Sequence, residues 1–262
     1  MRPATLITGA SSGIGAELAH VFAEHGHELV LTARREAELE ALAEAIAASG
    51  RTRPLVLPLD LVQRDAVARL AAALSANGVE PDNVVNNAGF GLAGNAASLD
   101  RDDQLAMIDL NMRALTELSL FFADSLVRHR GGILNVASIA GFVPGPGMAV
   151  YYASKAYVLS FSESLHEELR GRGVRVTALC PGPVPSGFQA RAGLRASGAG
   201  DQAILTLPAR RVAEIGYAGF ARGKRVVIAG LGNKAATFFM RLLPHPLLLP
   251  LIRDRMRAAT KR

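Results

Sequence analysis

A tyrosine and a lysine four residues apart are the first side chains whose types and spacing can do chemistry. A helix that begins near Tyr151 places Tyr151 and Lys155 on one face. An ammonium group beside a phenol favours the phenolate, so we expect Lys155 to lower the pKa of Tyr151 toward working pH. Ser138 follows a predicted strand, at the end of an α/β strand where sites are built. Tyr-x-x-x-Lys alone is a common pair on helices, so a catalytic role for this group depends on the motifs that accompany it.

A glycine-rich turn near the start of the chain is the second candidate. It follows a short apolar run and opens a helical pattern, and its residues are Gly9, Ser11, Ser12, Gly13, Ile14 and Gly15. Glycines let the backbone approach a pyrophosphate closely, and free N–H groups at the helix start meet its charge. The alternative is an ordinary turn with incidental glycines, which the strand–turn–helix context disfavours.

Two arginines follow the second predicted strand, where a dinucleotide site reads the adenosine ribose. A carboxylate at this place would accept hydrogen bonds from a free 2′-hydroxyl. Arg34 and Arg35 stand there instead, and a planar guanidinium suits a 2′-phosphate. The sequence therefore favours NADP(H) over NAD(H). The alternative is a basic helix start in solvent.

The elements that must position these groups alternate between strands and helices. Short apolar runs predict strands at 4–8, 28–32, 54–57, 83–86, 132–137, 175–179 and 225–229. Apolar spacings of three and four predict helices at 15–25, 35–48, 62–76, 99–128 and 151–170. This order predicts an α/β, doubly wound Rossmann-type fold: a mostly or fully parallel seven-stranded sheet with helices on both faces. We expect one domain over 1–262, with a substrate loop at about 183–205.

These residues together resemble the short-chain dehydrogenase/reductase family, in its single-domain branch. The resemblance spans Thr8 to Ser186 in the family's order and spacing. Its matching positions are Thr8, Gly9, Gly13, Gly15, Asp60, Leu61, Asn86, Asn87, Ala88, Gly89, Asn111, Ser138, Tyr151, Lys155, Pro181, Gly182, Pro183 and Val184. The combination is far more specific than any single motif.

The resemblance implies a role for each matching position. Tyr151 would donate the proton in carbonyl reduction, Ser138 would hold the carbonyl oxygen, and Lys155 would bind the nicotinamide ribose. Asn111 would support a water-linked proton path to Lys155. The remaining cofactor contacts would come from Asp60 and Leu61 at the adenine, from Asn87, Ala88 and Gly89 near the adenosine ribose, and from Pro181, Gly182, Val184 and Ser186 at the nicotinamide. Ser186 departs mildly from the threonine that is frequent at its place. A homo-oligomer, dimer or tetramer, is also implied.

Charge is distributed unevenly along the chain. The 29 basic and 23 acidic residues give +6 overall, but residues 222–262 alone carry ten basic residues and one acid, or +9. The rest holds 19 basic and 22 acidic residues, or −3, which excludes a uniformly basic nucleic-acid binder. One cysteine, and the lack of a recognisable signal or spanning segment, lead us to expect a cytoplasmic protein, with a peripheral membrane location as the variant. The six histidines show no ligand spacing, so no metal is expected.

The substrate is the least constrained part of the sequence. Residues 139–148 are apolar and favour a hydrophobic ketone or aldehyde, although Phe142 and Met148 fit core packing equally well. The apolar, basic extension at about 233–262 suits packing on its own domain, a subunit interface or a membrane surface, and its prolines favour the first two. We expect an NADPH-dependent carbonyl reductase. A 3-oxoacyl-thioester reductase is the alternative, and a non-catalytic NADPH-binding or membrane-peripheral protein is the further one.

Overall fold

The fold is built on one parallel sheet. The computed structural model describes residues 1–194 and 205–260. Within them the strands are β1 (Arg2–Thr8), β2 (Leu29–Thr32), β3 (Leu55–Val56), β4 (Val79–Asn86), β5 (Gly132–Val136), β6 (Arg175–Cys180) and β7 (Val226–Ile228). Their order is β3-β2-β1-β4-β5-β6-β7, and every pair is parallel. The sheet and its predicted strands are confirmed, and the strand order reverses between β1 and β4, where α/β folds place their ligands.

Helices connect the strands and cover both faces of the sheet. They are α1 (Gly13–Glu24), α2 (Glu36–Ala48), α3 (Ala66–Ala76), α4 (Arg101–Ile108), α5 (Leu115–Phe121), α6 (Ala123–His129), α7 (Ala149–Arg170), α8 (Gly187–Arg191), α9 (Ala209–Ala221), α10 (Leu231–Leu242) and α11 (His245–Thr260). Apolar residues of α1, α2 and α9 form the core on one face. Those of α3, α5, α6 and α7 form the core on the other. A strand such as β5, buried at all five residues, is what a sheet covered on both faces requires.

The predicted single helix over 99–128 is wrong. The structure divides it into α4, a π-helical turn at Asp109–Ala114, α5 and α6. The π turn turns the Asn111 side chain inward, where it bonds the backbone of Phe90. Phe122 leaves helical geometry with ψ near 5° and ends α5. Hydrophobic spacing alone does not reveal either interruption.

The predicted substrate loop and extension are partly helical. α8 lies inside the loop. The part of the predicted loop from 195 to 204 lies outside the described residues. The extension forms α10 and α11 with Pro244 between them. Pro250 lies inside α11, which nevertheless continues to Thr260.

Candidate active site

The glycine turn between β1 and α1 brings the backbone close to the end of β4. Gly9 has φ +65° and Gly13 has φ +59°, a region that side chains rarely adopt. A Cβ atom on Gly9 would lie 2.8 Å from the Ala88 Cα, and one on Gly15 would overlap the Gly9 carbonyl and the Asn87 amide. The predicted turn is therefore present, with Gly9 and Gly15 required by close contacts and Gly13 favoured by its backbone conformation.

Asn87 and Ala88 hold this turn in place. The Asn87 side-chain nitrogen donates to the carbonyls of Thr8 and Gly9 at 3.0 and 3.1 Å. Both backbone N–H groups, of Asn87 and Ala88, donate to the Thr8 hydroxyl at 3.0 Å. The end of β4 thus fixes the shape of the turn.

Arg35 reaches from the end of β2 onto the glycine turn. Its guanidinium donates to the hydroxyls of Ser11 and Ser12 at 3.0 and 2.9 Å, and it pairs with Glu38 at 3.1 Å. Arg34, its neighbour, is exposed. Glycines that leave room for a pyrophosphate, and guanidiniums beside them, fit a dinucleotide with a phosphorylated ribose.

Asp60 and Leu61 lie in a turn after β3. The Asp60 carboxylate accepts from the Val62 N–H at 3.2 Å, and Leu61 is buried. Arg113, which the sequence interpretation missed, donates to the Val62 carbonyl at 2.7 Å from the π turn. Arg113 lies 51 residues from Val62 in the sequence. The only sequence signal for a structural role was the pair of carboxylates near Arg113, Asp109 and Glu117, with which it forms ion pairs.

Tyr151 and Ser138 come together at the carboxyl edge of the sheet. Ser138 precedes a short 3₁₀ turn at Ile139–Phe142, and its hydroxyl accepts from the Ala140 N–H at 3.1 Å. Burial raises the pKa of Tyr151 to about 12, while the neighbouring Ser138 hydroxyl acts in the opposite direction. The phenol is therefore protonated at neutral pH.

Lys155 lies one turn further along α7, on the same helix face as Tyr151. Its Nζ donates to the Val136 carbonyl at 2.8 Å and lies 5.8 Å from the centre of the Tyr151 ring. Burial lowers the pKa of Lys155 itself to about 8. Desolvation is the largest influence on the pKa of both side chains, and the lowering of the Tyr151 pKa by Lys155 stays a prediction.

Asn111 lies beside this pair. Its amide nitrogen donates to the Phe90 carbonyl at 2.9 Å and to the Ser154 hydroxyl at 3.0 Å. A Cβ on Gly89 would lie 2.9 Å from the Asn111 Oδ1 and 3.6 Å from the Lys155 Nζ. The four predicted catalytic residues and Gly89 thus occupy one region.

The segment from Pro181 to Ser186 borders the candidate site on the side of the glycine turn. Ser186 caps α8 through its hydroxyl, and a Cβ on Gly13 would lie 3.5 Å from the Ser186 Cβ, so this segment faces the glycine turn. Val184 is buried, and its carbonyl accepts from Gln189 at 2.6 Å. Gly182 leaves no room for a Cβ beside the amide of Asn233.

Asn233, at the start of α10, is a second residue that the sequence interpretation missed. It is 1% exposed, and its Nδ2 donates to the carbonyls of Leu205 and Ala229 at 2.9 and 2.7 Å. It therefore holds the end of β7 and the returning loop against Gly182. Asn233 lies far from every motif in the sequence, so no sequence pattern pointed to this role.

An apolar wall flanks the Tyr151 ring. A Cβ on Gly91 would lie 2.7 Å from Phe188 Cζ, 3.0 Å from Met148 Cε and 3.2 Å from Tyr151 Cδ2. The ring centres of Tyr151 and Phe188 are 5.3 Å apart. Phe142 instead packs on the core and under the guanidinium of Arg241. The sequence left open whether Met148 and Phe142 border the substrate. In the structure Met148 lies beside Tyr151, and Phe142 is a packing residue.

Comparison with known proteins identifies the class that this fold and site define. A family model described as short chain dehydrogenase matches residues 3–195. The chain therefore belongs to the short-chain dehydrogenase family, and it is an oxidoreductase acting on CH–OH or carbonyl groups. In the described part of the chain, no three His, Cys, Asp or Glu side chains cluster as metal ligands would.

Three proteins of named function are similar to this chain. A sulfoacetaldehyde reductase of Chromohalobacter salexigens is 42% identical over 191 residues, covering 72% of this chain and 75% of that protein. A short-chain dehydrogenase from Sphingobium yanoikuyae in complex with NADPH has a TM-score of 0.79 at 32% identity, covering 92% of this chain and 94% of that one. A bulky-bulky ketone specific alcohol dehydrogenase from Comamonas testosteroni has a TM-score of 0.75 at 28% identity, covering 93% and 95%. The NADPH-bound structure agrees with the predicted cofactor.

Proposed function

We propose that this oxidoreductase is an NADPH-dependent carbonyl reductase whose substrate is an apolar ketone or aldehyde. The observation that carries the proposal is the half-buried Tyr151 beside Ser138, next to a wall formed by Gly91, Met148 and Phe188. It combines a proton donor, an oxygen-binding hydroxyl and an apolar surface in one place.

The cofactor is NADP(H). The turn containing Gly9, Gly13 and Gly15 would hold its pyrophosphate, and Arg34 and Arg35 its 2′-phosphate. The other contacts would come from Asp60, Leu61, Asn87, Ala88, Gly89, Tyr151, Lys155, Pro181, Gly182, Val184 and Ser186. When bound, NADPH supplies the hydride that reduces the carbonyl carbon. An NADPH-bound relative supports this assignment.

The chain's own groups handle the oxygen and the proton. The Ser138 hydroxyl donates a hydrogen bond to the carbonyl oxygen and stabilises the charge that develops there. The Tyr151 phenol donates the proton that completes the alcohol. With a pKa of about 12 the phenol holds its proton at neutral pH, as a proton donor must.

Lys155 and Asn111 would act behind the tyrosine. Lys155 is buried, with its Nζ 2.8 Å from the Val136 carbonyl and 5.8 Å from the centre of the Tyr151 ring. Asn111 is held by the Phe90 backbone, so its side chain has a fixed orientation. We assign Lys155 to the nicotinamide ribose and Asn111 to a water-linked proton path toward Lys155.

The apolar wall sets the substrate class. Tyr151, Met148 and Phe188 present carbon atoms around Gly91, the smallest residue possible there. This surface suits a hydrophobic carbonyl compound better than a sugar. A structural relative specific for bulky ketones supports the proposal, and a relative named for an aldehyde substrate keeps aldehydes within it.

The proposal is tested by NADPH oxidation across a panel of bulky ketones, aldehydes and acyl thioesters. We expect the highest kcat/KM for a bulky apolar ketone or aldehyde, and no comparable rate with NADH. Preferential turnover of carrier-bound 3-oxoacyl thioesters would replace this proposal with the alternative reductase. Absence of turnover on the whole panel would refute it.

We also infer a cytoplasmic homo-oligomer. Leu105 on α4 and Leu120 and Phe121 on α5 are 51%, 56% and 55% exposed, which is unusual for large apolar side chains on helices. Light scattering should therefore give a mass of two or four chains. A monomer at micromolar concentration would contradict this inference.

A further inference from the structure

Helix α10 is amphipathic in the opposite sense from a helix on an ordinary protein surface. The side chains that it buries are polar, namely Asn233 at 1% and Thr237 at 2% exposure. The side chains that it exposes are large and apolar: Leu231 at 83%, Phe238 at 61%, Phe239 at 64% and Leu242 at 65%. A surface helix normally turns its apolar residues inward, so this outward face calls for a partner.

The outward residues of α10 form one continuous stripe. Positions 231, 235, 238 and 242 are separated by four, three and four residues, which is the spacing of a single helical face. Phe239 lies at the edge of the stripe. Lys234 and Arg241 lie along its other edge, three residues after Leu231 and three after Phe238.

Helix α11, which begins three residues after α10 ends, also exposes large apolar side chains. Its inward side is anchored to the domain, because Leu248 is 3% exposed and Met256 packs against Gly147. Its outward side exposes Leu247 and Leu251 at 62% and 64%. Both helices are therefore fixed on the domain while their apolar outer residues remain uncovered.

Positive charge surrounds these apolar residues. Arg253 and Arg257 lie on one flank of the outward side of α11, and Arg255 lies on the other. α10 and α11 carry five basic residues and one acid, Asp254, a net charge of +4, and Asp254 pairs with Arg253 at 2.9 Å. The 221 residues that precede Arg222 have a net charge of −3, so the exposed apolar face lies in the basic part of the chain.

The charge argues against a second copy of this chain as the occupant. A symmetric dimer through this face would bring together two copies of a helix pair that each carry a net charge of +4. Like charges across an interface are costly. An apolar stripe of Phe and Leu with Lys and Arg at its edges is instead the pattern of a helix in the interface of an anionic membrane, where long basic side chains reach the headgroups.

We propose that the outward face of α10 and α11 docks on the surface of an anionic lipid bilayer. The apolar residues enter the boundary between headgroups and acyl chains, and the flanking cations contact acidic headgroups. No helix in the described part of the chain is long and apolar enough to cross a membrane. This docking is independent of the proposed reaction.

Vesicle sedimentation of the full-length protein tests the proposal. Phosphatidylcholine vesicles with 30% phosphatidylglycerol are compared with pure phosphatidylcholine, at low and at high salt. We expect binding to the anionic vesicles, at least tenfold weaker binding to the neutral ones, and weakening with salt. Equal binding to both, or none to the anionic vesicles, would overturn the proposal.

Two double variants locate the bound face. Lys234→Gln with Arg257→Gln should weaken partition about 25-fold, or about fivefold for each cation. The matched control, Arg69→Gln with Arg101→Gln, neutralises two exposed arginines on α3 and α4 and should change partition less than twofold. Equal effects of the two variants would show nonspecific charge attraction and refute this surface.

The apolar contribution is tested by Phe238→Ser with Leu242→Ser. Partition should fall more than tenfold, while the melting temperature and the rate of NADPH oxidation stay near those of the unaltered protein. Unchanged vesicle binding would refute the proposal. A lower oligomeric mass by light scattering, with unchanged binding to vesicles, would assign the face to contact between copies.

Discussion

Replacing Lys155 by methionine removes a buried cation from the proposed site. The substitution therefore measures how much the burial of that charge lowers the free energy of unfolding. Lys155 is buried, and its pKa is lowered from 10.5 to about 8. At pH 7 the lysine is charged in both the folded and the unfolded chain. The lowered pKa therefore corresponds to a cost of about 3 kcal/mol in the free energy of unfolding, at about 1.4 kcal/mol per pKa unit.

The sign of the pH dependence follows from the same shift. Between about pH 8 and pH 10.5 the unfolded chain holds a proton that the folded chain has lost, so the lysine protein gains stability as the pH rises. The cost is complete below pH 8 and disappears above pH 10.5. The methionine protein lacks this dependence, and its advantage should fall by roughly 2.5 kcal/mol between pH 7 and pH 10.

Urea unfolding of both proteins at pH 7, 9 and 10, without cofactor, measures this difference. The lost hydrogen bond to Val136 adds a term that does not depend on pH, so the change with pH is the quantity to compare. Lys224→Met, at an exposed lysine, is the matched control and should show no such change. A stability difference between the Lys155 and Met proteins that stays constant within 0.5 kcal/mol would refute the reasoning.

Three further substitutions test other parts of the site. Arg35→Ala should raise the KM for NADPH about ten- to hundredfold and leave that for NADH unchanged, with Arg51→Ala as an inert control; equal effects on both cofactors would contradict the assignment. Asn233→Ala frees two buried carbonyls and should cost about 2 kcal/mol in urea unfolding, whereas the exposed Asn77→Ala should cost less than half of that. Gly91→Val should lower kcat/KM for a bulky ketone at least tenfold more than for a small aldehyde, and a uniform loss would place the substrate elsewhere.

The sheet and the glycine turn could be predicted because their signals are local. Each strand is a short apolar run. In the turn, Gly9 and Gly15 are required by close contacts within the connection and at the end of β4, and Gly13 is favoured by its positive φ. Tyr151 and Lys155 share one helix, so their spacing alone placed them on one face. These features need no knowledge of distant segments.

Long-range contacts and burial were not predictable in the same way. Asn233 and Arg113 support the site from other elements, and nothing near them in the chain indicates which carbonyls they bind. The raised pKa of Tyr151 depends on burial, which the Tyr-x-x-x-Lys spacing does not report. The extension packs on its own domain through Asn233, Thr237 and Leu248, but the sequence pattern did not show that the large apolar side chains of α10 face outward.

The central claim is that Tyr151 donates the proton in an NADPH-dependent carbonyl reduction. The direct measurement is kcat/KM of Tyr151→Phe and of the unaltered protein on the best carbonyl substrate of the panel, with NADPH affinity measured by fluorescence titration. The account predicts a loss of at least a hundredfold in kcat/KM with NADPH affinity changed less than threefold. Turnover by the phenylalanine protein within threefold of the unaltered protein would contradict it.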